Sequence, residues 1–136
     1  MGITKKEKIF NKFNGKCCIC GVELVKFHKN MGEDYKRMFT IDHIKPISLG
    51  GSNDIDNLRP MCQRCNSIRN NKAGERRIKI IKDRKYIKDY EMKFIIDDIC
   101  NGLITESDIQ ELKEELLNIY EDTLNKIDTL SVNLFK

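Results

Sequence analysis

Apolar and polar residues alternate with a helical period at both ends of the chain and with a strand-like period in the middle. Near the N-terminus, Thr4-Lys5-Lys6-Glu7 has the sequence of a helix capping box. Ile9, Phe10 and Phe13 then fall on one helical face before Asn14-Gly15, a pair that commonly ends a helix. The pattern predicts a short N-terminal helix that stops at Asn14-Gly15.

The middle of the chain predicts short strands separated by a long loop. Residues 22–26 and 37–42 are strand-like runs with a polar stretch between them. Pro46 and Gly50-Gly51 interrupt the pattern and therefore favour a loop over a helix. Residues 57–61 can form a returning strand. The expected order is strand, loop, strand, followed by a helix.

Helices are predicted for the rest of the chain. A helix of about three turns should begin at Cys62 and end near Gly74. A longer helix should run from about Arg76 to Cys100, where Asn101-Gly102 provides a stop signal. Cys100 lies within the apolar pattern of this helix, so we expect its side chain in the core.

A last helix is predicted after Thr105–Asp108, which has the sequence of a second capping box. Its apolar residues recur at helical spacing up to Leu130, so it should pair with the preceding helix as a helical hairpin. The apolar stripe indicates either core packing or the interface of a homodimer. The expected organisation is a body of residues 1–74 and a helical appendage of residues 75–136, packed on the body or used for dimerisation.

The length and charge of the chain limit the classes of protein to which it can belong. The 136 residues fit one domain of ordinary size with an appendage. Neither a signal peptide nor a run of about 18 apolar residues is visible, so we expect a cytoplasmic protein without membrane association. Residues 1–93 carry 22 Lys and Arg against 11 Asp and Glu, whereas residues 94–136 carry 3 against 10. A basic body favours contacts with polyanions such as nucleic acids.

Four of the six cysteines form two pairs with the spacing of zinc knuckles, Cys17-x-x-Cys20 and Cys62-x-x-Cys65. Two thiolates at this spacing can occupy two corners of a tetrahedron around Zn²⁺, which predicts a structural zinc site. The alternatives are four unrelated thiols, or Cys18 in place of Cys17 as a ligand. The long interval between the pairs indicates that the metal joins the two ends of an inserted region.

The candidate chemistry lies in that inserted region. Asp42 and His43 are adjacent at the end of a predicted strand, so their side chains should point to opposite faces and serve different purposes. Asn57 lies 14 residues after His43, and Asn66 directly follows Cys65, where a zinc site would fix its position. An Asp carboxylate and an Asn carbonyl are hard ligands, which favours Mg²⁺ or Mn²⁺.

Five short motifs follow one another between residues 10 and 74. They are Cys17-x-x-Cys20-Gly21, Asp42-His43-Ile44-x-Pro46, Gly50-Gly51, Asn57-Leu58 and Cys62-x-x-Cys65-Asn66. In this order and spacing the region resembles the HNH endonuclease family. The resemblance implies an α+β fold with a ββα-metal core, a structural zinc site of four cysteines and, here, a C-terminal helical hairpin. The last motif position is Asn rather than His, a variant that shifts the expected catalytic metal from Zn²⁺ or Ni²⁺ towards Mg²⁺.

The same resemblance implies hydrolysis of DNA phosphodiester bonds. It assigns His43 as general base, Asp42 and Asn66 as ligands of one divalent metal, and Asn57 as a brace of the loop that carries His43. The products would carry 5′-phosphate and 3′-hydroxyl ends, after nicking or double-strand cleavage. A catalytically silent zinc-dependent DNA-binding module and a protein-recruiting adaptor stay open as alternatives. Abundant Lys, Ile and Asn favour a phage or mobile-element origin, in which case the protein would act inside a host cell.

Basic side chains near the predicted site are the candidates for nucleic-acid contacts. They are Lys45, Arg64, Arg69, Lys72, Arg76 and Arg77. Each could bind a phosphate oxygen, and each could equally be a solvated surface residue.

Overall fold

A computed structural model describes residues 2–134 as an α+β protein with one small sheet. Its helices and strands are α1 Lys5–Asn11, β1 Phe39–His43, β2 Leu58–Cys62, α2 Gln63–Arg69, α3 Glu75–Arg84, α4 Glu91–Cys100 and α5 Glu106–Leu134. Short 3₁₀ helices lie at Gly32–Arg37, Ile47–Leu49 and Ile55–Asn57. None of the described helices is long and apolar enough to cross a membrane.

Strands β1 and β2 form an antiparallel pair, as the order of the sequence predicts. Every residue of β2 is buried, and the register sets Asp42 opposite Arg59. The predicted strand at residues 22–26 is wrong, because Glu23 and Val25 make only isolated bridges to Lys16 and Met38. The first strand also begins later than expected, since the segment before it is a 3₁₀ helix.

Helix α1 has the predicted capping box. The backbone N–H of Glu7 donates to Oγ1 of Thr4 at 3.2 Å, and the Thr4 N–H donates to the Glu7 carboxylate at 3.3 Å. Ile9 is fully buried, and the Phe10 ring packs against Phe39 of β1 with ring centroids 5.3 Å apart. Helix α1 therefore supports the strand that ends at His43.

The first helices that follow β2 are shorter than predicted. Helix α2 ends at Arg69 instead of near Gly74, because Asn70 adopts a positive φ of 37° that a helix cannot continue. The single helix expected between Arg76 and Cys100 is two helices, α3 and α4. Lys85 ends α3 in a left-handed conformation with a φ of 74°, which allows the chain to turn back.

Helices α3, α4 and the start of α5 share a second core, made by Ile78, Ile81, Ile95, Ile104 and Leu112. The first core surrounds the cysteine pairs and includes Phe94 of α4. The buried positions of α4 are 91, 94, 95 and 98, one face of a helix. Cys100 lies off this face and is exposed, so its expected place in the core is wrong.

Helix α5 begins at the second predicted capping box, in which the Asp108 N–H donates to Oγ1 of Thr105 at 3.2 Å. Its first turns pack on α3, where Leu112 is buried. Further along, the apolar side chains of α5 are largely exposed: Leu117, Tyr120, Leu124, Ile127 and Leu130. The predicted helical packing is thus confined to the N-terminal part of α5.

Candidate metal and active site

The four predicted zinc ligands meet at one point. The Sγ atoms of Cys17, Cys20, Cys62 and Cys65 all lie within 4.8 Å of one another. Cys62 caps α2, and its sulfur accepts the backbone N–H of Cys65 at 3.4 Å. This is a donor set for a structural metal such as zinc, with tetrahedral thiolate coordination as the expected arrangement.

The structure also decides between Cys17 and Cys18. Cys17 belongs to the four-sulfur group, whereas Cys18 does not. Hydrogen bonds from the thiols of Cys18 and Cys65 outweigh the effect of burial and hold the pKa of Cys17 well below its usual range.

A separate groove lies where the end of β1 faces α2. It has a volume of about 240 Å³, and its lining includes Asp42, His43, Asn66, Arg69 and Asn70. The three side chains that the sequence indicates for catalysis thus share one opening, although they come from two elements. The hairpin supplies Asp42 and His43, and the first turn after the Cys62–Cys65 pair supplies Asn66.

Asp42 is a buried carboxylate with two guanidinium partners. Its Oδ1 accepts a hydrogen bond from Nη1 of Arg69 at 2.8 Å, and its Oδ2 accepts one from Nε of Arg59 at 2.9 Å. A second contact joins Arg69 to Oδ2 at 3.1 Å. A carboxylate has about four acceptor positions, so Asp42 retains capacity for one more partner. Asp42 is 7% exposed and contributes to the lining of the groove.

The Asn66 side chain is fixed through its nitrogen. Nδ2 donates to Oγ1 of Thr40 at 3.2 Å, and the Thr40 hydroxyl donates to the carbonyl oxygen of Met61 at 2.6 Å. Among the described residues, the amide oxygen of Asn66 accepts no hydrogen bond. The oxygen is the atom that a hard cation would bind, so its open position is compatible with the metal-ligand role of Asn66, which stays a prediction.

His43 is oriented by a loop residue that the sequence did not single out. Its Nε2 lies 2.8 Å from Oδ1 of Asn53, whose backbone oxygen in turn accepts a hydrogen bond from Nζ of Lys5 at 2.8 Å. An amide oxygen can only accept, so the neutral tautomer that fits this contact has its proton on Nε2 and a lone pair on Nδ1. The arrangement leaves one ring nitrogen of His43 able to accept a proton.

Asn57 ties together the two ends of the loop after β1. Its Oδ1 accepts the N–H of Lys45 at 2.9 Å, and its Nδ2 donates to the carbonyl oxygens of Lys45 at 3.0 Å and Ser52 at 2.7 Å. Gly51 lies in the same turn, and a Cβ there would sit only 1.8 Å from the Lys45 carbonyl oxygen. At the second position of the Gly50-Gly51 motif, a side chain would therefore clash with the backbone.

Two aspartates of α4 complete the surroundings of Asp42. Both outer nitrogens of Arg59 donate to the Asp97 carboxylate at 2.7 Å. Asp98 accepts the N–H of Gly74 at 2.9 Å and lies 3.6 Å from Nη2 of Arg69. Burial raises the pKa of Asp98, although Gly74 and Arg69 oppose this effect.

Two of the six basic side chains predicted to contact nucleic acid are buried and paired with carboxylates, an arrangement that does not favour such contacts. Arg69 is 2% exposed and donates to Asp42 and to the carbonyl oxygens of His43 and Ile44. Arg77 is 3% exposed and is paired with Glu91. The other four are exposed, and their contacts with nucleic acid stay a prediction: Lys45, Arg64, Lys72 and Arg76.

Residues 17–72 match the family model described as HNH endonuclease. The match is consistent with the resemblance to the HNH endonuclease family that the sequence motifs indicate. The matched region begins at the first zinc-ligand candidate and contains the whole β1–β2 hairpin, α2 and the groove residues contributed by them. Helices α3, α4 and α5 lie outside it. No curated protein and no solved structure matched the chain.

Sequence reasoning missed Thr40, Asn53, Arg59, Asp97 and Asp98. The hairpin register could have indicated Arg59, because it places this residue opposite Asp42. Asp98 gave a second signal, since it occupies the same helical face as the buried Phe94 and Ile95. An acidic residue on an apolar face needs a partner, and Arg69 is near it.

Proposed function

We propose that this protein is a metal-dependent endonuclease that hydrolyses phosphodiester bonds of DNA. The observation that carries the proposal is the groove of the HNH domain, in which Asp42, His43 and Asn66 meet. Two oxygen donors and an oriented imidazole in one opening are the groups required for metal-assisted hydrolysis.

In this proposal His43 is the general base. The hydrogen bond from Nε2 to Asn53 fixes the ring and leaves Nδ1 to take a proton from the attacking water. Asn57 acts on the same step indirectly, because it closes the loop that contains Asn53 and begins directly after His43. The reaction would leave 5′-phosphate and 3′-hydroxyl ends.

Asp42 and Asn66 would hold one divalent cation, Mg²⁺ or Mn²⁺. When bound, such a cation supplies charge neutralisation at the scissile phosphate and at the departing 3′ oxygen. Thr40 presents the oxygen of Asn66, and the two arginines hold the carboxylate of Asp42 in place. The cysteine cluster would hold Zn²⁺ and thereby fix the start of α2, which carries Asn66.

Four exposed basic residues could bind the phosphates of the substrate: Lys45, Arg64, Lys72 and Arg76. Such contacts bind phosphates without reading sequence. A homodimer through α5 and a phage or mobile-element origin stay predictions. The exposed apolar side chains of α5 are the feature that would support the dimer.

Cleavage of supercoiled plasmid tests the proposal. Zinc-loaded protein is incubated with Mg²⁺ or Mn²⁺, and nicked and linear products are measured over time. We expect His43→Ala to reduce the rate by about 100-fold or more, the usual contribution of a general base. His28→Ala is the matched control, because His28 is the other histidine of the chain and its side chain is 48% exposed.

Three further results test this function against its alternatives. Cleavage should stop with EDTA and return when excess Mg²⁺ is added with zinc restored. Cleavage at the wild-type rate by His43→Ala would overturn the assigned role. Binding of plasmid without cleavage, under all metals, would instead support a DNA-binding module.

A further inference from the structure

We propose that Asp97 and Arg59 are positioning residues of the metal site, and that helix α4 thereby completes a groove otherwise built by the HNH domain. The proposal rests on the proposed metal site at Asp42 and Asn66. Asp97 holds the guanidinium of Arg59, and Arg59 holds the carboxylate of Asp42.

The geometry indicates that Asp97 orients Arg59 and that Arg59 in turn orients Asp42. Arg59 lies on β2 directly opposite Asp42, and only its Nε reaches the Asp42 carboxylate. Its two outer nitrogens bind Asp97 in the bidentate arrangement that orients a guanidinium most strictly. The side chain of Arg59 is 6% exposed and that of Asp97 16%, so the pair is largely screened from water.

The charges around Asp42 are a second reason to assign a positioning role to Asp97. Asp42 faces two guanidiniums, Arg59 and Arg69, and these three groups alone carry a net positive charge next to the groove. Such a charge would repel a divalent cation, because charges in a partly buried site interact more strongly than in water. Asp97 and Asp98 place two further carboxylates behind the arginines. The arginines can therefore fix Asp42 without cancelling its attraction for a metal.

Asp97 is the better of the two aspartates to test. It makes two hydrogen bonds of 2.7 Å to Arg59. Asp98 contacts Arg69 only at 3.6 Å, and its Oδ1 has no hydrogen bond within the described part of the chain. Changes at Asp97 should thus act mainly through Arg59 and Asp42.

The test is Mn²⁺ binding to the full-length, zinc-loaded protein, followed by electron paramagnetic resonance of free Mn²⁺. We expect Asp97→Asn to weaken Mn²⁺ binding by about tenfold, because it removes one nearby negative charge. The Mn²⁺ concentration for half-maximal plasmid cleavage should rise by the same factor, whereas the rate at saturating Mn²⁺ should return towards that of the wild type. Asp97→Glu keeps the charge and should recover most of the affinity.

Asp89→Asn is the matched control, since Asp89 is exposed and lies outside α4, and it should bind Mn²⁺ as the wild type does. Equal Mn²⁺ affinity of Asp97→Asn and the wild type would overturn the inference. A wild type that binds no Mn²⁺ besides its zinc would overturn it as well. If Mn²⁺ binds, Asp97→Asn weakens that binding and the wild type still cuts no DNA, the inference stands and the proposed nuclease activity fails.

Discussion

Two clusters hold the groove in place, and they are built in opposite ways. The cysteine cluster gathers four ligands of one type from two short motifs. The arginine–aspartate cluster, made by Arg59, Arg69, Asp42, Asp97 and Asp98, gathers charged residues from both strands, α2 and α4. The first is a ligand set that could hold a metal ion, whereas the second pairs its charges internally.

The difference determines how each cluster contributes to stability. A structural metal binds the folded chain and so adds directly to its free energy of unfolding. A buried ion cluster adds little net stability, because removing its charges from water costs about as much as their pairing gains. Breaking it is expensive, however, since the remaining charges stay buried without partners.

The largest expected effect is loss of the cysteine cluster. Cys65→Ala removes a buried ligand candidate, and we expect the variant to lose zinc and its cooperative thermal transition. Binding of structural Zn²⁺ is worth about 10–16 kcal/mol in small domains, which exceeds the stability of most proteins of this size. Zinc content and circular dichroism melting measure the effect.

Cys100→Ala is the control for this variant, because Cys100 is exposed and lies outside the four-sulfur group. It should keep full zinc content and the wild-type melting temperature. A Cys65→Ala protein that melts like the wild type would show that the cluster does not support the fold.

A smaller effect is expected in the arginine–aspartate cluster. Arg69→Met keeps much of the side-chain volume but leaves Asp42 and Asp98 without their shared guanidinium. We expect a loss of about 3–5 kcal/mol in the free energy of unfolding, with zinc still bound. Urea unfolding of the zinc-loaded protein measures it.

Arg64→Met is the matched control, since Arg64 lies on the same helix and is exposed. Its stability should stay within about 0.5 kcal/mol of the wild type. If Arg69→Met were as stable as this control, the view that the buried charges depend on one another would be wrong.

The same contrast explains how much could be predicted from the sequence. The spacing of the cysteines predicts the four-sulfur cluster, because two thiolates with two residues between them can bind one metal ion in many different folds. The Asp42, His43 and Asn66 groove followed from the motif order, and the structure brings these residues to one opening. Their chemical roles stay predictions.

The arginine–aspartate cluster was not predicted, because its members have no local spacing in common. In the sequence Arg69 resembles a surface residue, and only the packing of α4 brings it next to the buried carboxylate of Asp98. The same holds for Arg77 outside this cluster, which pairs with Glu91 of α4. The end of α3 at Lys85 was not predicted for a related reason. Lysine has no local preference for the left-handed conformation, which here allows the chain to turn back into α4. Glycine would be the usual residue at such a position.

The smallest expected effect concerns a third cluster, in which Glu91 of α4 pairs with Arg77 and Arg84 of α3. Burial opposes ionisation of Glu91, but hydrogen bonds from Lys88 N–H, Arg84 and Arg77 outweigh it and hold its pKa below the ordinary 4.5. We expect Glu91→Gln to lower the free energy of unfolding at pH 7 by about 1–3 kcal/mol.

This effect should depend on pH in a defined direction. A carboxylate with a depressed pKa in the folded state stabilises the protein above its unfolded pKa, and this contribution is lost as the pH falls through the folded pKa. The difference between wild type and Glu91→Gln should therefore be constant at neutral pH and shrink below pH 4.5. Protonation of the cysteines affects both proteins, so the difference isolates Glu91.

Glu91→Gln also tests whether a charge cluster that only joins two helices affects the metal site in the groove. Glu91 contacts neither Arg59 nor Arg69 among the described hydrogen bonds and ion pairs, so Mn²⁺ affinity should match that of the wild type although stability falls. Glu75→Gln, at an exposed position of α3, should change neither quantity. A loss of Mn²⁺ affinity in Glu91→Gln equal to that in Asp97→Asn would mean that general loosening of α4, rather than the Asp97–Arg59 contact, controls the groove.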